Sequence, residues 1–244
     1  MALVTGAGAG LGRAYATLLA ARGAQVVVQD IDRATAEDTA AAIRGQGGTA
    51  WAAVCDIADP PALAPALRAA GVAPDGIHIL VNNAGIDAAR TIEQVTVAEF
   101  DRMFGVHVKG TFFATQTVIA GMKAWRHGKI VNISSINGMI ADSTDSHYNG
   151  AKAAILGLTK AWAKEFAPWR INVNAVAPGH VVTAATIQRG AERMARISKE
   201  RIPLGRYATP EEIAHTVAFL ASAESDFITG QVISPNGGEA IVGI

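Results

Sequence analysis

Ala2-Leu3-Val4-Thr5 is a short apolar strand that runs without a spacer into Gly6-Ala7-Gly8-Ala9-Gly10-Leu11-Gly12. An apolar helical stretch, Tyr15 to Ala21, follows and is closed by Gly23; Gln25 to Gln29 is then a second strand, with Val26-Val27-Val28 uninterrupted. A continuous valine run suits a strand covered on both faces, and two parallel strands need a crossover helix between them. The opening of the chain is therefore a βαβ unit, which commits the rest to a parallel sheet. The glycines let backbone approach a bound group closely, and the N-terminus of the following helix offers free N–H groups and the positive end of its dipole. That is the chemistry of a phosphate site, although a tight structural turn has the same composition.

The alternation continues. Strands are expected at Thr49–Val54, Gly76–Val81, Gly128–Ile133, Arg170–Val176 and Gln231–Ser234. Helices are expected at Arg33–Arg44, in the proline-bearing stretch with Pro60, Pro61 and Pro65, from Thr96 to about Met122, at Tyr148–Phe166, across Val181–Ser198, and from the Thr209-Pro210 cap to Ser222. Pro65 is expected to disturb its helix. The pattern gives a doubly wound α/β fold with seven parallel strands and about six helices, on both faces, as a single domain spanning residues 1–244. Ligands of such sheets gather at the carboxyl ends of the strands. The net charge is zero and no basic stripe is present, which argues against nucleic acid. The one cysteine, Cys55, excludes an internal disulfide. No apolar stretch has the length of a membrane span, no basic leader precedes Ala2, and a cytoplasmic setting follows.

Several residues at strand ends carry chemistry. Asp30, eighteen residues after Gly12, ends the second strand beside Ile31. A carboxylate there accepts hydrogen bonds from ribose hydroxyls and repels a 2′-phosphate; Asp32 is the better helix cap. Asp56-Ile57 falls where a third strand's tip could flank an adenine, or could cap the next helix. Asn83, Ala84 and Gly85 close the fourth strand with small residues and a backbone-pinning amide. Tyr148 and Lys152, four apart on one helix, share a face. An ammonium near a phenol lowers its pKa, which suits proton exchange with a substrate oxygen.

Together these residues resemble a short-chain dehydrogenase/reductase along essentially the whole chain. The resemblance is carried by Thr5 to Gly12, Asn82-Asn83-Ala84-Gly85, Ser135, Tyr148-xxx-Lys152 and Pro178-Gly179-His180-Val181-Val182-Thr183. It implies a Rossmann fold, a nicotinamide cofactor and alcohol–carbonyl interconversion. By resemblance Tyr148 is the general acid/base, Lys152 binds the nicotinamide ribose and lowers the tyrosine pKa, and Ser135 holds the substrate oxygen. Gly6, Gly10, Leu11 and Gly12 match the pyrophosphate loop. Asp30 with Ile31 matches the NAD-preferring type, Asp56 and Ile57 the adenine flank, and Asn83, Ala84 and Gly85 the cofactor ribose. Pro178, Gly179, Val181 and Thr183 match the nicotinamide lining. The family's usual helix asparagine is replaced by His107, which is expected either to keep a proton relay to the lysine or to be structural.

The resulting expectation is a secondary alcohol–ketone oxidoreductase using NAD, with no metal, acting on a small molecule. An NADP-dependent reductase of 3-oxoacyl thioesters and a non-catalytic NAD-binding sensor or scaffold are the alternatives. Residues of about 180–205 are expected to cover the substrate, and His147 and His180 to be loop or surface residues. Phe100, Phe104, Val108, Phe112 and Thr115 are expected to be core or subunit contact. The resemblance implies a homotetramer, or a homodimer.

Overall fold

Alternate residues of each strand serve opposite faces of one parallel sheet, and this explains the valine run. The computed structural model describes residues 1–242. Strands β1 (Ala2–Thr5), β2 (Val26–Asp30), β3 (Ala50–Val54), β4 (Ile79–Asn82), β5 (Gly128–Ile133), β6 (Ile171–Val176) and β7 (Val232–Ile233) lie in the order β3-β2-β1-β4-β5-β6-β7. Each neighbouring pair is parallel. Ala2, Val4, Val26 and Val28 enter one apolar layer with Tyr15, Leu19, Ile43, Ile213 and Val217; Leu3 and Val27 enter the other with Leu67, Val118, Met122 and Phe166. A fully buried valine of this kind contributes roughly 1.5–3 kcal/mol.

The helices are α1 (Gly10–Ala21), α2 (Arg33–Gly45), α3 (Leu63–Ala69), α4 (Val97–Phe104), α5 (Gly110–Trp125), α6 (Ser146–Phe166), α7 (Ala184–Gln188), α8 (Ala191–Glu200) and α9 (Pro210–Leu220). Helices α1, α2 and α9 serve one layer, and α3, α5 and α6 the other. The chain therefore winds outward from β1 to β3, returns to β4 on the other side of β1, and winds outward again. The crevice between the carboxyl ends of β1 and β4 is the switch point where such folds bind ligands.

Four details differ from the sequence expectation. The long helix is continuous from Val97 to Trp125 but contains a π-turn, Gly105–Lys109, at its centre. Pro65 disturbs nothing, because α3 starts at Leu63 and its first-turn N–H groups have no ladder partner in any case. The fourth strand begins at Ile79, since Pro74–Gly76 is a 3₁₀ turn. The expected helix over Val181–Ser198 is two helices, broken at Gly190, whose φ is +97°. The capping signal at Thr209 holds: Thr209 accepts from the Glu212 N–H and Pro210 occupies the first turn. No described helix is long and apolar enough to cross a membrane.

Candidate active site

The glycine loop is shaped by close packing behind it and open space in front. A methyl added at Gly12 would lie 2.1 Å from the Gly6 carbonyl oxygen, and one at Gly6 would lie 2.8 Å from the Ala84 Cα. A methyl at Gly10 would meet nothing within 4 Å. Asn83 holds this geometry: its amide donates to Thr5 O at 2.9 Å and to Gly6 O at 3.0 Å. Thr5 Oγ1 in turn accepts from the Asn83 and Ala84 N–H groups, each at 3.0 Å. Thr5 was not anticipated as a pin, though its place between strand and glycine loop was a usable signal.

Helix α1 starts in this open space with Ala9 at its N-cap, no side-chain cap and no acidic residue in its first turn. Among the described residues nothing offers the first-turn N–H groups a side-chain acceptor, so an uncapped dipole end faces the crevice. This fits a nicotinamide dinucleotide, whose pyrophosphate needs that environment. Asp30, at the tip of β2, accepts from Gly8 N at 2.8 Å and Asp32 N at 3.1 Å, which anchors a half-buried carboxylate beside the loop. Ile31 beside it is exposed. Asp32 caps α2 by accepting from Thr35 N, as its position suggested.

The third-strand pair divides. Asp56 faces solvent at the sheet edge, holding Arg102 at 2.6 Å and the Ala58 N–H at 2.9 Å. Burial alone would raise its pKa, but these hydrogen bonds outweigh it and hold the carboxyl below its usual range. Ile57 is buried with its side chain against Gly110, so an adenine flank at this residue would use its backbone. Leu11 likewise packs on the α1 layer.

Three candidate catalytic residues converge at the ends of β5 and α6. Ser135 is the second residue past β5, and its Oγ accepts from Asn137 N at 3.1 Å. Tyr148 and Lys152 sit on the same face of α6, with Lys152 Nζ 5.7 Å from the Tyr148 ring centre. Lys152 is buried, and its Nζ donates to Ile133 O at 2.9 Å. Ser134 plays the structural part: its Oγ donates to Lys152 O at 2.8 Å.

The electrostatics correct one expectation. Burial pushes Tyr148 up to about 12, while Ser135 pulls it the other way and Asp87 adds to the rise. Burial brings Lys152 down to about 7, and Asp87 opposes that fall. The expected lowering of the tyrosine by the lysine is therefore not seen. Desolvation is the largest effect on each group, and Lys152 is turned toward a backbone carbonyl.

His107 lies inside the π-turn, buried, with its ring edge-on to Tyr148 at 5.5 Å. Its Nε2 is 2.8 Å from Ile86 O and 3.1 Å from Ile86 N, so it donates to the carbonyl in one tautomer and accepts from the N–H in the other. Burial, with Lys152 adding to it, lowers the imidazole to about 3, so it is neutral at physiological pH. A methyl at Gly85 would lie 2.6 Å from the His107 ring, so Gly85 permits this approach. A π-turn at this point turns the ring into the site, as such turns often do at functional positions.

The Pro178–Thr183 segment comes to the same edge. Pro178 O accepts from Ile136 N at 3.0 Å, which ties it to the Ser135 loop. A methyl at Gly179 would lie 2.9 Å from Asn236. Val181 is buried and bridges to Ala208. Thr183 caps α7, its hydroxyl accepting from the Thr186 N–H. His180 meets Glu239 at 2.7 Å. His147, expected in a loop or at the surface, is instead buried in the first turn of α6, and among the described residues its ring nitrogens have no partner. Sequence reasoning also missed Asp87 and Arg189, an ion pair joining the loop after Gly85 to the cover. Only their joint position in space singles them out.

The comparisons agree with this geometry. A family model described as enoyl-(acyl carrier protein) reductase matches residues 6–239. The 3-oxoacyl-[acyl-carrier-protein] reductase of Thermotoga maritima is 37% identical over 98% of this chain and 97% of its own length. Among solved structures, a 3-oxoacyl-[acyl-carrier protein] reductase with bound NAD from Brucella melitensis is 33% identical, covering 99% of this chain and 91% of its own, with a TM-score of 0.91. A gluconate 5-dehydrogenase from Burkholderia cenocepacia in complex with NADP and tartrate is 34% identical, covering 98% and 94%, with a TM-score of 0.90. A match of this extent, in sequence and in fold, makes this chain a member of the short-chain dehydrogenase/reductase family.

Proposed function

We propose that the chain is an NAD(H)-dependent oxidoreductase that interconverts a secondary alcohol and a ketone, with Tyr148 as general acid/base. The observation that carries the reading is the meeting of Tyr148, Ser135 and Lys152 at the sheet edge beside the uncapped start of α1. The cofactor supplies or accepts the hydride when bound. Gly6, Gly10 and Gly12 would hold its pyrophosphate, Asp30 its adenosine ribose, Lys152 its nicotinamide ribose, and Pro178 to Thr183 its nicotinamide. Asp30 supports NAD over NADP, because a fixed carboxylate repels a 2′-phosphate.

In the reducing direction Tyr148 donates its proton to the ketone oxygen, and burial keeps that proton in place at neutral pH. Ser135 Oγ donates a hydrogen bond to the same oxygen and stabilises its developing charge. In the oxidising direction the phenolate form accepts the alcohol proton, and because burial holds the Tyr148 pKa up, that direction is favoured by alkaline pH. His107, neutral and fixed to Ile86, orients the Tyr148 ring and is a candidate link from the lysine to solvent.

The names of the relatives favour a second reading, reduction of a 3-oxoacyl thioester, for which NADP(H) is the alternative cofactor. A panel of secondary alcohols, hydroxysteroids, cyclic diols, sugars and 3-hydroxyacyl thioesters, each with NAD and NADP, separates the two. The proposal expects NADH formation from non-thioester alcohols. Turnover confined to thioesters and NADP would replace it, and cofactor binding without turnover would favour a sensor. An assembly of identical chains, tetrameric or dimeric, and a cytoplasmic setting belong to the same proposal; exposed Phe100 and Phe112 on α4 and α5 support the assembly.

A further inference from the structure

We propose that the cover carries a receptor for an acidic group on the substrate, anchored by Arg189, so that the preferred substrate is a hydroxy acid or its oxo acid. The inference rests on the oxidoreductase reading and names its substrate class.

The charge pattern is local. Residues 184–205 hold Arg189, Arg193, Arg196, Lys199 and Arg201 against only Glu192 and Glu200, in a chain whose net charge is zero. Arg201 is committed, lying 2.9 Å from Glu239 and 3.4 Å from Asp142. Arg189, the residue that ends α7, reaches off the cover to the Asp87 carboxylate, two residues beyond Gly85. The pair thus bridges the two sides of the site. Both partners are close enough to Tyr148 to act on its ionisation, Asp87 raising it and Arg189 lowering it. Arg193 acts in the same way on Tyr207, whose ring stacks obliquely on His180 at 5.0 Å.

A guanidinium already holding a carboxylate at the edge of a catalytic site can exchange it for another, because the forked donor set fits any carboxylate. The exchange is easy here. Arg189 and Asp87 are each nearly half exposed, at 41% and 45%, and such pairs are worth only a few-fold in equilibrium. A substrate carboxylate brought in beneath the cover gains what Asp87 gives up. Asp87 is then a competitor for the receptor as well as a latch for the cover.

Opposite variants separate receptor from latch. The readout is the ratio of kcat/KM for 3-hydroxybutyrate and 4-hydroxycyclohexanecarboxylate to that for their methyl esters. Arg189→Gln should lower this ratio a few-fold, the worth of a half-exposed charge pair. Asp87→Asn should raise it several-fold by removing the competitor. A simple latch predicts that both variants shift acid and ester alike, leaving the ratio unchanged; that result, or a shift of both variants in one direction, overturns the proposal. Calorimetry of cyclohexanecarboxylate against cyclohexanecarboxamide, on the protein with NADH present, reads the same ordering without turnover. A wild type that makes no NADH from any alcohol therefore removes the oxidoreductase reading alone, whereas equal affinity for acid and amide removes this one alone.

Discussion

Gly10 and Gly12, two positions apart on either side of Leu11, should fail in different ways when each becomes alanine. At Gly12 the new methyl would lie 2.1 Å from Gly6 O, 2.5 Å from Asn83 Nδ2 and 2.8 Å from the Gly6 carbonyl carbon. Two of these atoms are backbone, so no rotamer relieves the clash. Overpacking of this kind costs roughly 1–3 kcal/mol. Displacing Asn83 breaks its two hydrogen bonds to Thr5 and Gly6, at about 1 kcal/mol each. Gly12→Ala should therefore lose about 3–5 kcal/mol, which for a domain of this size lowers Tm by roughly 6–20 °C. At Gly10 the methyl enters open space, and only its φ of +54° is unfavourable, a cost of roughly 1–2 kcal/mol. Gly10→Ala should keep most of its Tm yet bind NADH at least about tenfold more weakly, because the methyl stands where the pyrophosphate meets the start of α1. Calorimetric melting and a fluorescence titration with NADH read both effects. An unchanged Tm for Gly12→Ala, or wild-type NADH affinity for Gly10→Ala, would refute the reasoning.

Two further outcomes are expected. Asp30→Ala should shift the NADPH-to-NADH affinity ratio toward NADPH by roughly 10- to 100-fold, with weaker binding of both because Gly8 loses its 2.8 Å acceptor; an unchanged ratio in paired titrations removes Asp30 from cofactor choice. His107 titrates at about 3 when folded and near 6.5 when unfolded, so between those values the unfolded chain binds the extra proton. Its contribution is present above pH 6.5 and is lost as pH falls through the window, by about 2 kcal/mol between pH 7.5 and 5. His107→Asn, which does not titrate, should lose less stability to acid in urea melts, and an identical acid dependence would show that the imidazole is not buried neutral.

The sheet was legible because its signals are local and repeated. The strand at Gly128–Ile133 falls where expected, and Val26 to Val28 carry the mark of burial on both faces in their composition alone. The π-turn was not legible. Phe100, Phe104, Val108 and Phe112 keep helical spacing through it, and one inserted residue per turn hardly disturbs that pattern. Thr5, Asn83 and Ser134 could be found only in part, since the partners of the hydroxyls and amide lie on other strands. The direction of the Ile57 side chain was not legible because a residue at a strand tip points either to ligand or to core, and Gly110, far along the chain, decides it. The effect expected of Lys152 on Tyr148 failed for a similar reason: spacing puts the two on one helix face, but the depth of their burial comes from β5 and α4 packed around them.

The central claim is that the Tyr148 hydroxyl exchanges the proton that accompanies hydride transfer. Tyr148→Phe removes that oxygen alone, and the measurement is single-turnover NADH formation with the best alcohol of the panel, beside an NADH titration of the same protein. The account predicts cofactor affinity within about twofold of wild type and a rate lowered by at least the roughly 10²–10⁴-fold that a positioned acid/base supplies. A variant that binds NADH normally and turns over at the wild-type rate would contradict it.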